Sequence, residues 1–372
     1  MKKVFILAVC AFFCAAAAAA PLSRKPADLP DSIYVGVKDG HVQGIALDRS
    51  KGCMYFSFTS SFIKTDLNGR ILGSINRIQG HLGAMTLGPD GRVYASLECK
   101  DDSIGQGVAE RLGTARLSHE QSVFYVAIID VDSIDRTGMD PEKDGVMTTV
   151  CIREACKDYA DGTYGCSGID GITFAPAFGK QDGKTYLYVA YGIYGDNSRS
   201  DNDNQILLCY DIANWKKKYE TPVVFGTVPT NGPAKPLHKY FIHTGNTTWG
   251  VQNLAWDAST RRIYMAVYKG KKSSYPNYPL FSVDIAQKPV KAVPKGLKGK
   301  QETLQLSDAG LFDEQSGVHG WKFKWGSTGL CPIGDNLWYI SENHKDKDTG
   351  IQSCTARLYR WTGYGGAPFV AQ

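Results

Sequence analysis

The run His41-Val42-Gln43-Gly44-Ile45-Ala46-Leu47-Asp48 is followed, after a turn, by Cys53-Met54-Tyr55-Phe56-Ser57-Phe58 and then by Phe62-Ile63-Lys64-Thr65-Asp66-Leu67. Each run is apolar-rich, of strand length and bounded by turn residues, which predicts three successive β-strands. The triplet recurs. A second copy occupies 81–87, 93–97 and 124–131, a third 169–174, 186–191 and 207–212, and a fourth 251–257, 263–268 and 280–285. A fifth reads Gly329-Leu330, Trp338-Tyr339-Ile340-Ser341 and Leu358-Tyr359-Arg360-Trp361. Two markers align the copies: a second-strand tyrosine (Tyr55, Tyr94, Tyr188, Tyr264, Tyr339) and an aspartate closing four third strands (Asp66, Asp130, Asp211, Asp284).

A repeat with two apolar faces cannot bury them alone, so neighbouring copies must pack face to face. With 11% aromatic residues, 40 glycines and almost no helical periodicity, the chain is expected to be all-β: a five-bladed β-propeller forming a single domain over 21–372. Six or seven blades would need further strand triplets in the long intervals, which hold charged or Gly/Pro-rich insertions instead. Fourth strands are expected at 70–75, 147–153, 239–243 and 303–306. The outer strand of the fifth blade should come from a terminus, 31–37 in preference to 368–370, closing the ring and removing exposed edges.

Ahead of the repeats, Lys2-Lys3, an apolar run from Val4 to Ala20 and Pro21 read as a signal peptide spanning 1–20 and cleaved near Ala20. This predicts a secreted or periplasmic protein. The apolar run is short for a membrane span of roughly 20 residues, and no other stretch is long and apolar enough. Cys14 as a lipid attachment point is disfavoured by the bulky Phe13 before it. The formal charge of +5 gives no strong basic field, so nucleic acid is not an expected partner. A monomer is expected. Cys53, Cys99, Cys151, Cys156, Cys166, Cys209, Cys331 and Cys354 follow the leader. They show no CxxC spacing of a zinc site, and are read either as one or two disulfides or as small buried apolar groups.

In a four-stranded blade traversed in order, the loop before the first strand and the loop between the second and third emerge at the same end. The first set comprises Gly40-His41, Gly80-His81, 166–170, 249–252 and 325–328, and the second the long segments 98–122, 192–205, 269–279 and 342–353. Length gathers at one mouth of the channel, where long loops on a rigid scaffold commonly carry function. The candidate catalytic residues there are Asp170, Glu342, His41, His81 and Tyr191. Candidate binding residues are Gln43, Glu98, Tyr194, Trp249, Gln252, Lys269, Lys271, Trp325 and His344.

Asp170 with Glu98 or Glu342 could supply the paired carboxylates of a glycosidase. A histidine with Tyr191 or Tyr194 could instead move a proton in an elimination, with Lys269 and Lys271 holding a substrate carboxylate. The competing reading is structural: channel histidines, glutamines and aspartates often satisfy backbone groups, and Lys269-Gly270-Lys271-Lys272 also reads as a solvated loop. The run from Asp196 to Asn204 offers Asp196, Asp201 and Asp203 as hard oxygen ligands for Ca²⁺. It lacks an EF-hand pattern, and Asp/Asn-rich turns also cap their own backbone.

Through HVQGIALD (41–48), GCSGIDGITF (165–174), YVAYGIYGD (188–196), NTTWGVQNLAWD (246–257) and WGSTGLCP (325–332), the chain resembles a group of exported β-propeller proteins. The resemblance covers nearly all of the mature chain and implies fold and export, with no activity attached. In architecture it is also similar to five-bladed glycoside hydrolases and to five-bladed sugar-binding lectins, an analogy of fold alone. Three functions remain open: a hydrolase or lyase on an extracellular glycan with an acidic or pentose component, a non-catalytic glycan- or peptide-binding protein, and a calcium-dependent phosphoester or lactone hydrolase.

Overall fold

The computed structural model describes residues 28–38, 40–180 and 183–372; the expected signal peptide and Cys14 lie outside them. Five blade sheets stand in a ring. Blade 1 runs Val42–Asp48, Cys53–Phe58, Ser61–Asp66, Ile71–Ile75, and blade 2 runs His81–Leu87, Val93–Cys99, Val123–Ile129, Met147–Cys151. Blade 3 runs Cys166–Pro176, Thr185–Ile193, Asn204–Tyr210, His238–His243; blade 4 runs Thr247–Asp257, Arg262–Lys269, Leu280–Asp284. Blade 5 is Leu330–Gly334, Leu337–Lys345 and Gln352–Trp361, completed by Ser32–Val37 from the N-terminal side.

Both repeat markers have a physical cause. The five tyrosines are buried in the layers between blades, and four hydroxyls find partners: Tyr94 on Asp90, Tyr188 on the Pro176 carbonyl, Tyr264 on Thr260 and Tyr339 on the Pro30 carbonyl. A buried tyrosine brings a large apolar ring, and its hydroxyl needs such a partner. Each marker aspartate accepts the backbone N–H two residues on: Asp66 from Asn68, Asp130 from Asp132, Asp211 from Ala213 and Asp284 from Ala286. This Asx turn ends the third strand and starts the reversal.

The ring closes where Ser32–Val37 pairs antiparallel with Gln352–Trp361, Ser32 opposite Arg357 and Val37 opposite Gln352. Phe369–Ala371 pairs with the far end of the same strand, so both terminal segments share that edge. One expectation is corrected. The segment expected as the outer strand of blade 4 forms Gln301–Leu304, which pairs parallel with His238–His243 of blade 3. Short and largely polar, it carries no alternation to say which edge it joins. The third strand of blade 4 is covered by the chain that follows, through Ser307 N–H to the Ser282 carbonyl and Trp321 N–H to the Leu280 carbonyl. Blade 2 likewise receives Thr221–Pro222 on its outer strand. Insertions thus cover edges that would otherwise be open to pairing with another chain.

The inner strands nearly touch along the axis. A Cβ on Gly44 would meet Met85 N at 2.8 Å and Ala84 Cα at 2.9 Å, so only glycine lets blades 1 and 2 approach there. Asn253 of blade 4 donates to the carbonyls of Gln43 and Ser327, both at 3.0 Å, tying blade 4 to blade 1 across the axis.

Candidate functional site

Every inner strand of blades 1 to 4 breaks register near the mouth, between Val42 and Gly44, Leu82 and Met85, Ile169 and Ile172, and Val251 and Asn253. Gln43, Asp170 and Gln252 are residues skipped by these ladders. Bulges re-aim side chains, and these three line a cavity of about 170 Å³. His41, His81, Glu98, Ser167 and Trp249 join them, with Lys100, Asp102, Ile104 and Tyr268.

Glu98 and Lys100 lie two apart at the end of one strand, hence on the same face. Lys100 Nζ lies 2.7 Å from Glu98 Oε2 and 3.4 Å from Asp102 Oδ2, and donates to the Ser167 carbonyl at 2.9 Å. Glu98 Oε1 accepts the Ile169 N–H at 2.9 Å. Burial alone would raise the Glu98 carboxyl, but Lys100 and His81 outweigh it and hold the group below the usual range. Burial would lower Lys100, which Glu98 and Asp102 reverse. Gly168 is required here: its φ is +130° and a Cβ would lie 1.9 Å from Glu98 Oε1.

Asp170 behaves oppositely. Burial, reinforced by the negative charge of Glu98, pushes its carboxyl well above the ordinary value. Gln252 Nε2 donates to Oδ2 at 2.8 Å, leaving Oδ1 as the oxygen to carry the proton. His41 is lowered, first by burial. Its Nδ1 sits 2.6 Å from the Val42 carbonyl; a carbonyl only accepts, so Nδ1 bears the hydrogen and Nε2 keeps its lone pair. His81 places Nδ1 3.7 Å from Glu98 Oε2, and its Nε2 is buried without a hydrogen-bond partner. Burial raises Tyr268, which keeps its phenolic proton. The cavity therefore brings together a carboxyl whose hold on its proton is strengthened, an imidazole whose hold is weakened, and a neutralised ion pair.

The sequence-based set divides. Asp170, His41, His81, Gln43, Glu98, Trp249 and Gln252 line the cavity. Tyr194 stands beside it, edge-on to Trp249 with ring centres 5.7 Å apart. Tyr191 does not belong: wholly buried between blades 2 and 3, it donates to Asp158 Oδ2 at 3.0 Å. Glu342 is bound by Arg357 Nε at 2.8 Å and the Tyr359 hydroxyl at 2.6 Å on the neighbouring strand. It and the exposed His344 lie on a hairpin paired as far as Lys345 and Gln352, a straight ladder rather than a loop bent over the mouth. Lys269 and Lys271 are exposed and outside the lining. Trp325 is half-buried with the Lys324 ammonium 4.1 Å from its ring centre, also outside it.

The proposed calcium ligands are engaged elsewhere. Lys272 Nζ enters the Asp/Asn loop and binds Asp203 Oδ1 at 2.5 Å and Asn202 Oδ1 at 2.9 Å. Asp203 Oδ2 accepts from the Tyr275 hydroxyl, Asp201 pairs with Arg199 at 2.8 Å, and Asp196 caps Ser198. Among the described residues no three His, Cys, Asp or Glu side chains cluster as a metal site. Lys272 brings to this loop a positive charge of the kind that Ca²⁺, one of the two readings of the run, would have supplied.

Sequence reasoning passed over Lys100, Asp102, Ile104, Ser167 and Tyr268. A usable signal existed for two: Lys100 and Asp102 continue the every-second-residue face that begins at Glu98. Asp102 also caps the helix Ser103–Leu112, accepting the Gly105 N–H at 2.8 Å, and that cap brings Ile104 to the rim.

No family model and no curated protein matches the chain. Solved structures do. The soluble aldose sugar dehydrogenase of Escherichia coli in its apo form is 10% identical over 88% of this chain and 99% of that one, with a TM-score of 0.36. A luciferin-regenerating enzyme is 12% identical over 91% and 98%, with a TM-score of 0.33, and a streptogramin B lyase 12% over 88% and 96%, with a TM-score of 0.30. The propeller assignment stands on this chain's own sheets.

Proposed function

We propose that this five-bladed propeller takes a small, neutral, hydroxyl-rich ligand, one sugar ring in size, at the channel mouth and performs proton transfer on it. The observation that carries this reading is the pairing of Asp170, its carboxyl pushed well above the ordinary value by burial, with His41, pushed below its own by burial and with Nε2 left to accept, in one cavity. An acid and a base whose environments push their proton affinities apart form a general acid–base set. The cavity is smaller than the roughly 300–1,000 Å³ of drug-sized sites, which favours one ring over a longer chain. Gln43, Gln252 and His81 add groups suited to hydroxyls.

Glycosidase chemistry is less well supported. Glu98 is locked by Lys100 and the Ile169 N–H, and Glu342 lies outside the cavity, so Asp170 has no second free carboxylate at a working separation. An acidic sugar is also disfavoured, because the one lysine in the lining already faces Glu98 and Asp102. Elimination or isomerisation of a neutral sugar or sugar lactone suits the groups better. With residues 1–20 read as a signal peptide, the ligand would be extracellular or periplasmic.

The test is a screen of the purified chain from Pro21 on monosaccharides, sugar lactones, glycosides and polysaccharides. Product sugars and ultraviolet absorbance would be recorded beside calorimetric binding. Turnover abolished by Asp170→Asn supports the proposal; absence of both turnover and binding across the panel overturns it. Binding without turnover would favour a sugar-binding protein, a reading to which Trp249, exposed and flanked by Tyr194, lends specific support.

A further inference from the structure

Eight cysteines lie among the described residues, six of them buried. Cys151 ends the outer strand of blade 2, and Cys156 sits in the first turns of the helix Arg153–Ala160. Their sulfur atoms are 3.7 Å apart. Both line a surface hollow of about 370 Å³ beside Ser122, Arg153 and Thr230, and Cys156 is partly exposed. A reagent entering from solvent meets Cys156 first, with the buried Cys151 behind it.

We propose that Cys151 and Cys156 are a redox-active dithiol that closes to a disulfide by exchange with an oxidised thiol carrier. A disulfide needs its sulfurs about 2.05 Å apart, and side-chain rotation within a strand-to-helix turn can supply the remaining approach. Cys156 is the attacking group. It is the more exposed, lies near a helix N-terminus, where thiolates are favoured, and its sulfur is a hydrogen-bond neighbour of Cys151. The Cys156 thiolate attacks one sulfur of the carrier disulfide, expelling one carrier thiolate and leaving a mixed disulfide. Cys151, losing its proton, attacks the Cys156 sulfur and expels the second. Two protein S–H bonds become one S–S bond as the carrier disulfide becomes two thiols.

The bond would act on the wall of the mouth cavity. Less than one turn further along the same helix, the Tyr159 hydroxyl donates to Asp101 Oδ1 at 2.5 Å, and Asp101 joins Lys100 to Asp102 in the chain. Fastening the first half of the helix to blade 2 limits fraying of that support.

Trypsin cuts after Arg153, between the two cysteines, so the bond would link peptides 144–153 and 154–157. The folded full-length protein is equilibrated with oxidised or reduced glutathione, remaining thiols are alkylated in denaturant, and the digest is weighed before and after reduction. The proposal expects the linked pair under oxidation, released by reduction, and a melting midpoint a few degrees higher in the oxidised protein. Cys99→Ser should leave the linkage intact, whereas Cys151→Ser should abolish it and leave a glutathione adduct on Cys156. Free, fully alkylated 144–153 and 154–157 in excess oxidised glutathione would overturn the proposal, as would linkage of either peptide to Cys99 or Cys166.

Discussion

Glu98, on the second strand of blade 2, and Lys100, just past the end of that strand, form an ion pair 2.7 Å long with side chains only 3% and 8% exposed. The pair organises the channel mouth: its negative end raises Asp170, and its positive end fixes Ser167 and Asp102. Two buried charges are tolerated only because each answers the other, and removing one strands its partner.

Lys100→Met should therefore destabilise the fold by about 3–5 kcal/mol, the usual cost of breaking a buried pair. Urea denaturation measures it. The double variant Glu98→Gln/Lys100→Met should recover much of the loss; a double variant as unstable as the single one would count against the pair as the cause.

Stability should depend on pH through Asp170 with a definite sign. Its folded-state value lies above the ordinary 3.8, so its favourable contribution is complete below that pH and is lost as pH rises through the folded value. Asp170→Asn lacks this loss, so the variant should gain on the wild type as pH rises above 3.8 toward the folded-state value. Glu98, lowered, works oppositely, contributing above its unfolded value and losing that contribution in acid. His41, lowered from 6.5, contributes above 6.5 and loses as pH falls toward its folded value. Parallel denaturation curves for wild type and Asp170→Asn at every pH would contradict the assignment.

On any substrate found, Asp170→Asn should lower turnover by about 10²–10⁴-fold, the usual contribution of a general acid or base. His41→Gln should behave similarly while leaving binding within a few-fold. Steady-state kinetics separate the two effects.

Trp249 is 46% exposed with φ of +68°, so little of the fold rests on its ring. Trp249→Ala should leave the melting temperature unchanged while weakening ligand binding by about fivefold, the equivalent of the roughly 1 kcal/mol that marks an energetically important contact. Calorimetry and a melting curve on the same sample decide it.

Calcium and a chelator should both leave the melting temperature of the wild type unchanged, because Lys272 already answers Asp203. Lys272→Met should cost about 3–5 kcal/mol by stranding that carboxylate. A calcium-dependent rise in the wild-type melting temperature would overturn this reading.

The fold was legible because its markers are local. A second-strand tyrosine must bury its ring and place its hydroxyl, and an aspartate ending a third strand must cap the turn two residues on. Both demands repeat with the blade and print themselves at each copy. Even the closing strand could be assigned, since 31–37 carries the alternation that an edge partner of Gln352–Trp361 requires. The outer strand of blade 4 could not, because Gln301–Leu304 makes a parallel pairing with blade 3 that no short-range pattern encodes.

That seven of the candidate residues would gather at one end of the ring, where they line one cavity, followed from connectivity in the sequence alone. The tertiary structure decided which long segments bend inward. Glu342 and Tyr191 carry the same functional groups as Asp170 and Tyr268, yet one continues a straight hairpin and the other faces a neighbouring blade. It also decided proton affinity, since whether a carboxyl is pushed down, as Glu98 is, or up, as Asp170 is, depends on a lysine and on burial. Strand formation and turns answer to neighbours a few residues away, whereas proton affinity answers to charge and solvent across space, which the linear order of residues does not hold.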